Sequence, residues 1–193
     1  MADQEPAAKW DRLYASGGHG HAAASRVLTE FQHLLPATGD ALDPACGTGG
    51  DALLLAHLGL CTCAWDISGA AIELLAARSA ALAVPLRLER RDAVARPPEP
   101  ESFDVIVVSH FLDRGLIPRL CAALRPGGLI FYHTFIKETV DDSGPRNPDY
   151  RLDANELLRL FTGLHIIYYR EEGLVGRTGM GLRNEAMLVA QKR

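Results

Sequence analysis

A glycine-rich turn, Ala45-Cys-Gly-Thr-Gly-Gly50, directly follows the short apolar run Ala41-Leu-Asp-Pro44. The run predicts a buried strand, and in open α/β sheets ligands bind beyond the carboxyl ends of the strands. Gly47 and Gly49 allow the backbone to approach a ligand closely, and the helix predicted to follow offers free N–H groups. This turn is therefore a candidate binding site.

Carboxylates end the next two predicted strands. Asp66 closes the strand predicted for Leu60-Cys-Thr-Cys-Ala-Trp65, roughly 20 residues beyond the turn, where a carboxylate can accept from both hydroxyls of a ribose. Asp92 follows the strand predicted for Pro85-Leu-Arg-Leu-Glu89. A glycine turn alone is weak evidence, but the turn and both acidic strand ends together predict a nucleoside site.

The order of residues in the turn discriminates between nucleoside cofactors. A dinucleotide site requires G-x-G-x-x-G with a pyrophosphate at the helix N-terminus. Here Ala52 takes the third glycine position, and Asp51 adds negative charge where the diphosphate would lie. The sequence therefore favours a nucleoside that carries an amino acid and no phosphate.

Strands and helices alternate along most of the chain. Asp51 is favourable at a helix N-terminus, Ser68 is a helix cap, and Asp153 is expected to cap a later helix. Arg125-Pro-Gly-Gly128 predicts a type II turn before the fifth strand. The predicted strands cover residues 41–44, 60–65, 85–89, 103–108, 129–135, 164–170 and 185–191, and the helices cover residues 51–58, 69–80, 115–124 and 153–161.

Five β-α units followed by a hairpin predict a single α/β domain over residues 1–193. We expect a Rossmann-like, doubly wound, seven-stranded, mostly parallel sheet with an antiparallel last strand and helices on both faces. Residues 1–35 are expected to form N-terminal lid or cap helices. The polar segment 136–151, rich in Pro and Gly, predicts a long loop that closes over a substrate.

Composition excludes several classes of protein. The 193 residues carry a net charge of −4, which argues against a nucleic-acid binder that depends on phosphate contacts. The first residues lack the pattern of a signal peptide, and no apolar run approaches the ~18 residues of a membrane span, so the cytoplasm is the expected location. The four cysteines do not have metal-site spacing. The segment Gly17-Gly-His-Gly-His21 is similar to a metal-binding tract but is interpreted as a polar loop, so no metal is expected.

The ordered motifs resemble those of class I S-adenosylmethionine-dependent methyltransferases over nearly the whole chain. The opening Lys9-Trp-Asp-Arg-Leu-Tyr14 is similar to that of small bacterial TehB-like members, the tellurite-resistance type. The motifs that carry the resemblance are Asp43-Pro-Ala-Cys-Gly-Thr-Gly-Gly50, Trp65-Asp-Ile-Ser68, Arg91-Asp-Ala93, Phe103-Asp-Val-Ile-Val107 and Leu124-Arg-Pro-Gly-Gly128.

The resemblance implies S-adenosylmethionine as cofactor, S-adenosylhomocysteine as product, and a role for each matching residue. The loop residues Ala45, Cys46, Gly47 and Thr48 flank the methionine part, and Asp43 orders the loop or reaches the amino group.

Asp66 holds the ribose, Ile67 packs on the adenine, and Asp92 and Ala93 contact the ring. Ser109 and His110 border the reactive methyl. Trp10 and Tyr14 form part of a lid, although their i, i+4 spacing also suits packing in the core. Many relatives have Gly where Ala45 stands.

Two histidines are candidate catalytic bases for a methyl acceptor. His110 lies just past the fourth strand, and alternation along the fifth strand turns either His133 or Tyr132 toward the site. In the 136–151 loop, Arg146 is a candidate anion contact and Tyr150 a second substrate contact.

Three functions compete with a small-molecule methyltransferase. Asn147-Pro-Asp-Tyr150 is similar to the N-P-P-Y signature of adenine-N6 methyltransferases, but it lies far beyond the fourth strand and lacks the middle proline. A catalytically silent cofactor-binding domain would bind the cofactor without turnover. A nicotinamide oxidoreductase is disfavoured by Asp51. Neither the methyl acceptor nor the oligomeric state follows from the sequence.

Overall fold

A seven-stranded mixed sheet forms the centre of the protein. We analysed a computed structural model that describes residues 4–16 and 23–193. The strands are β1 (Asp40–Asp43), β2 (Cys61–Asp66), β3 (Arg87–Arg90), β4 (Phe103–Ser109), β5 (Leu124–Phe135), β6 (His165–Glu171) and β7 (Glu185–Gln191).

The strand order is β3-β2-β1-β4-β5-β7-β6. Neighbouring strands from β3 to β5 are parallel, whereas β7 is antiparallel to both β5 and β6. The chain therefore reverses its winding between β1 and β4, which makes the carboxyl ends of these strands the expected binding edge. The predicted α/β fold class is confirmed.

Six helices are present in the described ranges. None of them is long and apolar enough to span a bilayer. They are α1 (Gln4–Ala15), α2 (Arg26–Phe31), α3 (Gly50–His57), α4 (Gly69–Leu82), α5 (Ile117–Ala123) and α6 (Glu156–Leu160), with short 3-10 helices at Gln32–Leu34 and Pro148–Tyr150.

Side chains on both faces of β4 are buried, as the β-branched sequence of this strand predicts. Val105 and Val107 pack on one face in a cluster with Leu28 of α2. Ile106 and Val108 pack on the other face with residues of α5 and α6. The central strands are thereby fixed between two apolar layers, and their carboxyl ends form a rigid edge.

The predicted cap of α4 is confirmed, whereas that of α6 is wrong. The Ser68 hydroxyl accepts from the backbone N–H of Ala71 at 3.2 Å. Asp153 instead forms an ion pair with Lys137 at 2.8 Å, and α6 begins later, at Glu156. Glu156, the first residue of α6, accepts a hydrogen bond from the backbone N–H of Asp153 at 2.7 Å. The carboxylate that bonds to the backbone at this helix start is therefore that of Glu156 and not that of Asp153.

The predicted turn at residues 125–128 lies within the bounds of β5 and interrupts its pairing with β4. Phe103 pairs with Leu124, whereas Val105 pairs with Leu129. Gly127 has a φ of 84°, the left-handed conformation that the third position of a type II turn requires.

Gly49 joins the turn after β1 to α3, and its conformation generates a test of the fold. It has a φ of 80°, and a Cβ at this position would overlap the side chain of Leu75 on α4. We expect Gly49→Ala to lower the free energy of unfolding by roughly 2–4 kcal/mol, because it adds backbone strain to overpacking. Urea denaturation measures this loss.

Gly163→Ala is the matched control, because a Cβ there meets no atom within 4 Å. An equal stability of the Gly49→Ala and Gly163→Ala proteins would contradict the packing described for this turn.

Candidate functional site

Both oxygens of the Asp66 carboxylate accept hydrogen bonds from the backbone at the end of β2. One accepts from the N–H of Gly47 at 2.8 Å, and the other accepts from the N–H of Ser68 at 2.8 Å. The N–H of Cys46 donates to the carbonyl of Trp65 at 2.9 Å. The glycine turn after β1 is therefore bound to β2 through side chain and backbone together.

Three carboxylates lie in and around this turn. Burial raises the pKa of Asp43 well above its usual range, and the charges of Asp51 and Asp66 raise it further. Burial also raises the pKa of Asp66, against the lowering effect of its two backbone hydrogen bonds. Asp51 is buried and accepts from the backbone N–H of Ser25 at 2.6 Å, where α2 begins. A phosphate in this turn would add negative charge to an already acidic environment.

The first helix lies across the same turn. The Asp11 carboxylate accepts from the Ser68 hydroxyl at 2.6 Å and from the N–H of Ala70 at 3.2 Å. Trp10 and Tyr14 stack with their ring centroids 6.0 Å apart. The Tyr14 hydroxyl lies so close to Gly47 that a Cβ at residue 47 would be 2.7 Å from it. Asp11, which the sequence did not single out, is thus the residue that fixes α1 over the turn.

A cleft of about 440 Å³ opens beside the ends of β2 and β3. Its lining includes Ile67 and Asp92, two residues predicted to contact an adenine. Oδ1 of Asp92 accepts from the N–H groups of Val94 at 2.8 Å and Ala95 at 3.2 Å, so Asp92 also orders its own turn. Ala93, the remaining residue of the predicted adenine set, is a buried residue of this turn. The full lining is Ala7, Ile67, Arg90, Arg91, Asp92, Ala95 and Arg96.

The remaining turn residues lie together at the end of β1. Cys46, Gly47 and Thr48 are buried and Ala45 is half-buried. Burial raises the pKa of the Cys46 thiol well above its usual range, with further increases from the charges of Asp43 and Asp66. Cys46 is therefore a neutral side chain of the turn rather than a thiolate nucleophile.

The two predicted catalytic histidines meet at the other side of the binding edge. His110 and His133 have ring centroids 5.2 Å apart, next to the half-buried Ser109. Nε2 of His110 lies 2.8 Å from one oxygen of Glu185, and Nε2 of His133 lies 2.9 Å from the other oxygen. The sequence did not single out Glu185, because it begins a distant strand and no local motif marks it.

The environment of Glu185 keeps it ionised. Burial alone raises the pKa of this carboxyl, but the hydrogen bonds and charges of His110 and His133 outweigh burial and lower the pKa to about 2. Tyr132, the alternative to His133, is buried on the opposite face and donates from its hydroxyl to the carbonyl of Phe111 at 2.8 Å.

The predicted substrate contacts Arg146 and Tyr150 lie on the exposed surface of the 136–151 loop. Among the described residues, no hydrogen bond joins either side chain to His110 or His133. The segment Gly17–His21, with His19 and His21, lies outside the described residues.

A different arginine organises that loop. The buried Arg151 donates from Nε to the carbonyl of Pro145 at 2.7 Å, from Nη1 to that of Ile136 at 3.0 Å, and from Nη2 to that of Ser143 at 2.6 Å. Arg114 in turn donates to the carbonyl of Arg151 at 3.0 Å. The loop is therefore held by its own last residue, which the sequence did not reveal.

Comparison with known proteins agrees with this architecture. Residues 41–128 match the family model of a methyltransferase domain. No curated protein sequence matches the chain.

Solved structures share the fold at low sequence identity, which establishes the fold alone. A structure described for the conversion of a disulfide bond into a thioacetal group during echinomycin biosynthesis has a TM-score of 0.74 at 22% identity, over 97% of this chain and 92% of that chain. TehB from Haemophilus influenzae has a TM-score of 0.70 at 21% identity, over 95% and 67%. Geranyl diphosphate C-methyltransferase from Streptomyces coelicolor A3(2) has a TM-score of 0.74 at 13% identity, over 99% and 97%.

The contacts of Arg151 generate a test of the loop. We expect Arg151→Ala to increase hydrogen exchange across residues 137–150, because three carbonyl groups lose their donors at a cost of about 1–3 kcal/mol each where they are buried. Arg146→Ala, which removes an exposed arginine from the same loop, should leave exchange unchanged. Equal exchange in the two variants would show that Arg151 does not hold the loop.

Proposed function

We propose that this chain, a class I S-adenosylmethionine-dependent methyltransferase, transfers the methyl group of its cofactor to a small-molecule acceptor. The observation that carries the proposal is that two different groups of residues lie at neighbouring parts of the binding edge. The glycine turn, Asp66 and the cleft beside Ile67 and Asp92 lie at the ends of β1, β2 and β3, and the His110 cluster lies at the ends of β4 and β5. One side suits a nucleoside, and the other presents titratable groups to an acceptor.

The residues around the turn fit S-adenosylmethionine. Each Asp66 oxygen makes one hydrogen bond to the backbone and has a second lone pair for a ribose hydroxyl. The carboxylates around the turn disfavour a phosphate but not the ammonium group of a methionine moiety. Ile67 offers an apolar surface and Asp92 a free carboxylate oxygen for an adenine in the cleft.

Further residues have proposed roles around the same cofactor. Asp43, at the end of β1, orders the turn, and Trp10 and Tyr14 of α1 cover it. Ser109 borders the reactive methyl at the end of β4. The backbone and small side chains that flank the methionine moiety and the adenine are those of Ala45, Cys46, Gly47, Thr48 and Ala93.

Bound S-adenosylmethionine supplies an electrophilic methyl group on a sulfonium that leaves as a neutral thioether. The protein then mainly has to align the acceptor atom with the methyl group and to exclude water. The loop held by Arg151 is the proposed cover on the acceptor side, with Arg146 and Tyr150 on its outer surface as candidate contacts to an incoming anionic or aromatic acceptor.

Two observations support a small acceptor over nucleic acid. The chain is acidic, with a net charge of −4, so it provides no overall attraction for a phosphate backbone. Among proteins with the same fold, one acts on geranyl diphosphate and another is described in echinomycin biosynthesis.

The experiment is methyl transfer from labelled S-adenosylmethionine into an extract of the source cells, followed by separation by size. We expect enzyme-dependent label in the low-mass fraction. Asp66→Ala should abolish this label, because it removes the proposed ribose acceptor, whereas Asp142→Ala, an exposed acid of the 136–151 loop, should retain it. Label found only in protein or nucleic acid would overturn the proposal.

A further inference from the structure

Glu185 is the only carboxylate among the described residues that joins the two candidate catalytic histidines. It stands at the start of β7, opposite Phe135 of β5, which places it diagonally across from His133 on the same face of the sheet. His133 lies in β5, Glu185 begins β7, and His110 directly follows β4. The cluster is therefore set by strand register and not by a mobile loop.

His110 is held from several directions. It has a φ of 52°, an uncommon conformation for a residue other than glycine, and such strain is concentrated at functional sites. Its backbone N–H donates to the carbonyl of His133 at 2.8 Å, and its ring stacks on Phe135 with the centroids 4.8 Å apart. The ring is thus fixed in position while 46% of the side chain remains exposed.

The hydrogen bonds determine where each imidazole carries its hydrogen. An ionised carboxylate can only accept, so both histidines must donate from Nε2. When both rings are neutral, their hydrogens are therefore on Nε2 and both Nδ1 atoms carry lone pairs. Among the described residues, the charged and titratable groups that act on Glu185 are these two histidines.

The same three side chains have the composition of a metal-binding set, since their donor atoms lie within 4.8 Å of one another. A metal on both Nε2 atoms would move the hydrogen of His133 to Nδ1, which is buried and has no hydrogen-bond partner. Metal-bound histidines almost always donate that second N–H to a partner, and an orphaned buried N–H is rarer than an orphaned acceptor. The arrangement therefore favours proton transfer over metal binding.

We propose that Glu185 is a positioning residue that holds His110 in its Nε2–H tautomer, so that Nδ1 of His110 takes the proton of the methyl acceptor. This inference rests on the proposed function and narrows the acceptor to a group that bears a proton at neutral pH, such as a hydroxyl. A thiolate or a metalloid oxyanion would not need it.

The proton and the electron pairs of the methyl transfer are all accounted for by the acceptor, the cofactor and His110. The acceptor O–H bond breaks, its proton goes to Nδ1 of His110, and the oxygen electron pair forms the bond to the methyl carbon. The bond from carbon to sulfur breaks with its electron pair on sulfur, and the imidazolium later returns its proton to water. Glu185 stays ionised throughout and stabilises the imidazolium.

Only one of the two histidines takes this proton. His110 has 46% of its side chain exposed, so an acceptor can reach it. His133 is 3% exposed, so an acceptor cannot reach its ring in the same way. His133 therefore acts as a second donor that helps to hold Glu185 in place.

The test is the tautomer of each histidine, read by two-bond ¹H–¹⁵N NMR. The protein is labelled with ¹⁵N-histidine, saturated with S-adenosylhomocysteine and held at a pH at which the ¹⁵N shifts show neutral imidazole rings. His110→Asn and His133→Asn assign the signals. We expect Nε2–H on both histidines of the wild-type protein.

Glu185→Gln should shift one of them. A glutamine amide accepts through its oxygen and donates through its nitrogen, so it can accept from only one histidine. Because Nδ1 of His133 is buried without a partner, we expect His110 to change from Nε2–H to Nδ1–H while His133 does not change. Glu30→Gln, which affects only an exposed pair with Arg26 on α2, should change neither tautomer.

Three results would overturn the assignment of Glu185. They are Nδ1–H on His110 of the wild-type protein, an unchanged His110 tautomer in Glu185→Gln, or one tightly bound metal ion per purified chain with Nδ1–H on both histidines. The measurement involves no methyl transfer, so its failure would leave the small-molecule assignment intact. Conversely, label that appears only in protein or nucleic acid would overturn the small-molecule assignment and leave the assignment of the His110 tautomer intact.

Discussion

The Asp66 carboxylate satisfies two backbone N–H groups that have no other acceptor in the surrounding turns. One belongs to Gly47 in the turn after β1, and the other belongs to Ser68 at the start of α4. Losing the acceptor of a buried N–H costs about 1–3 kcal/mol, so this side chain contributes strongly to the shape of the turn, together with the backbone bond from Cys46 to Trp65. Asp11 bonds to the Ser68 hydroxyl, so α1 is attached to the same junction. The proposed cofactor site and its cover thus meet at the junction between the end of β2 and the start of α4.

The sheet separates two kinds of chemistry by its strand order. Because winding reverses between β1 and β4, the acidic turn and the histidine cluster lie on opposite sides of this point of reversal at one edge of the sheet. In the proposed reaction, the acidic side holds a nucleoside with a positively charged amino acid, and the histidine side removes a proton from the acceptor. Both faces of β4 are packed against apolar layers, so the two sides have little freedom to move relative to each other. This rigidity is what alignment of an acceptor with a methyl group requires.

Local signals made much of this arrangement predictable from sequence. The strand before the glycine turn, the Ser68 cap and the antiparallel hairpin at the end of the chain all follow from short-range patterns, and the structure confirms them. Long-range contacts were not predictable in this way. Glu185 reaches His133 only because β7 inserts between β5 and β6, and Arg151 binds carbonyls within a loop that has no periodic pattern. The expected Asp153 cap is wrong because Lys137, far away in the sequence, binds that carboxylate.

A crystal structure with S-adenosylhomocysteine bound tests the role of Asp66 most directly. The ribose hydroxyls should lie within hydrogen-bond distance of its carboxylate, with the adenine between Ile67 and Asp92 and the Gly47 N–H still bonded to Asp66. A nucleoside bound elsewhere on the protein, or a turn that releases Gly47 to admit it, would contradict the account.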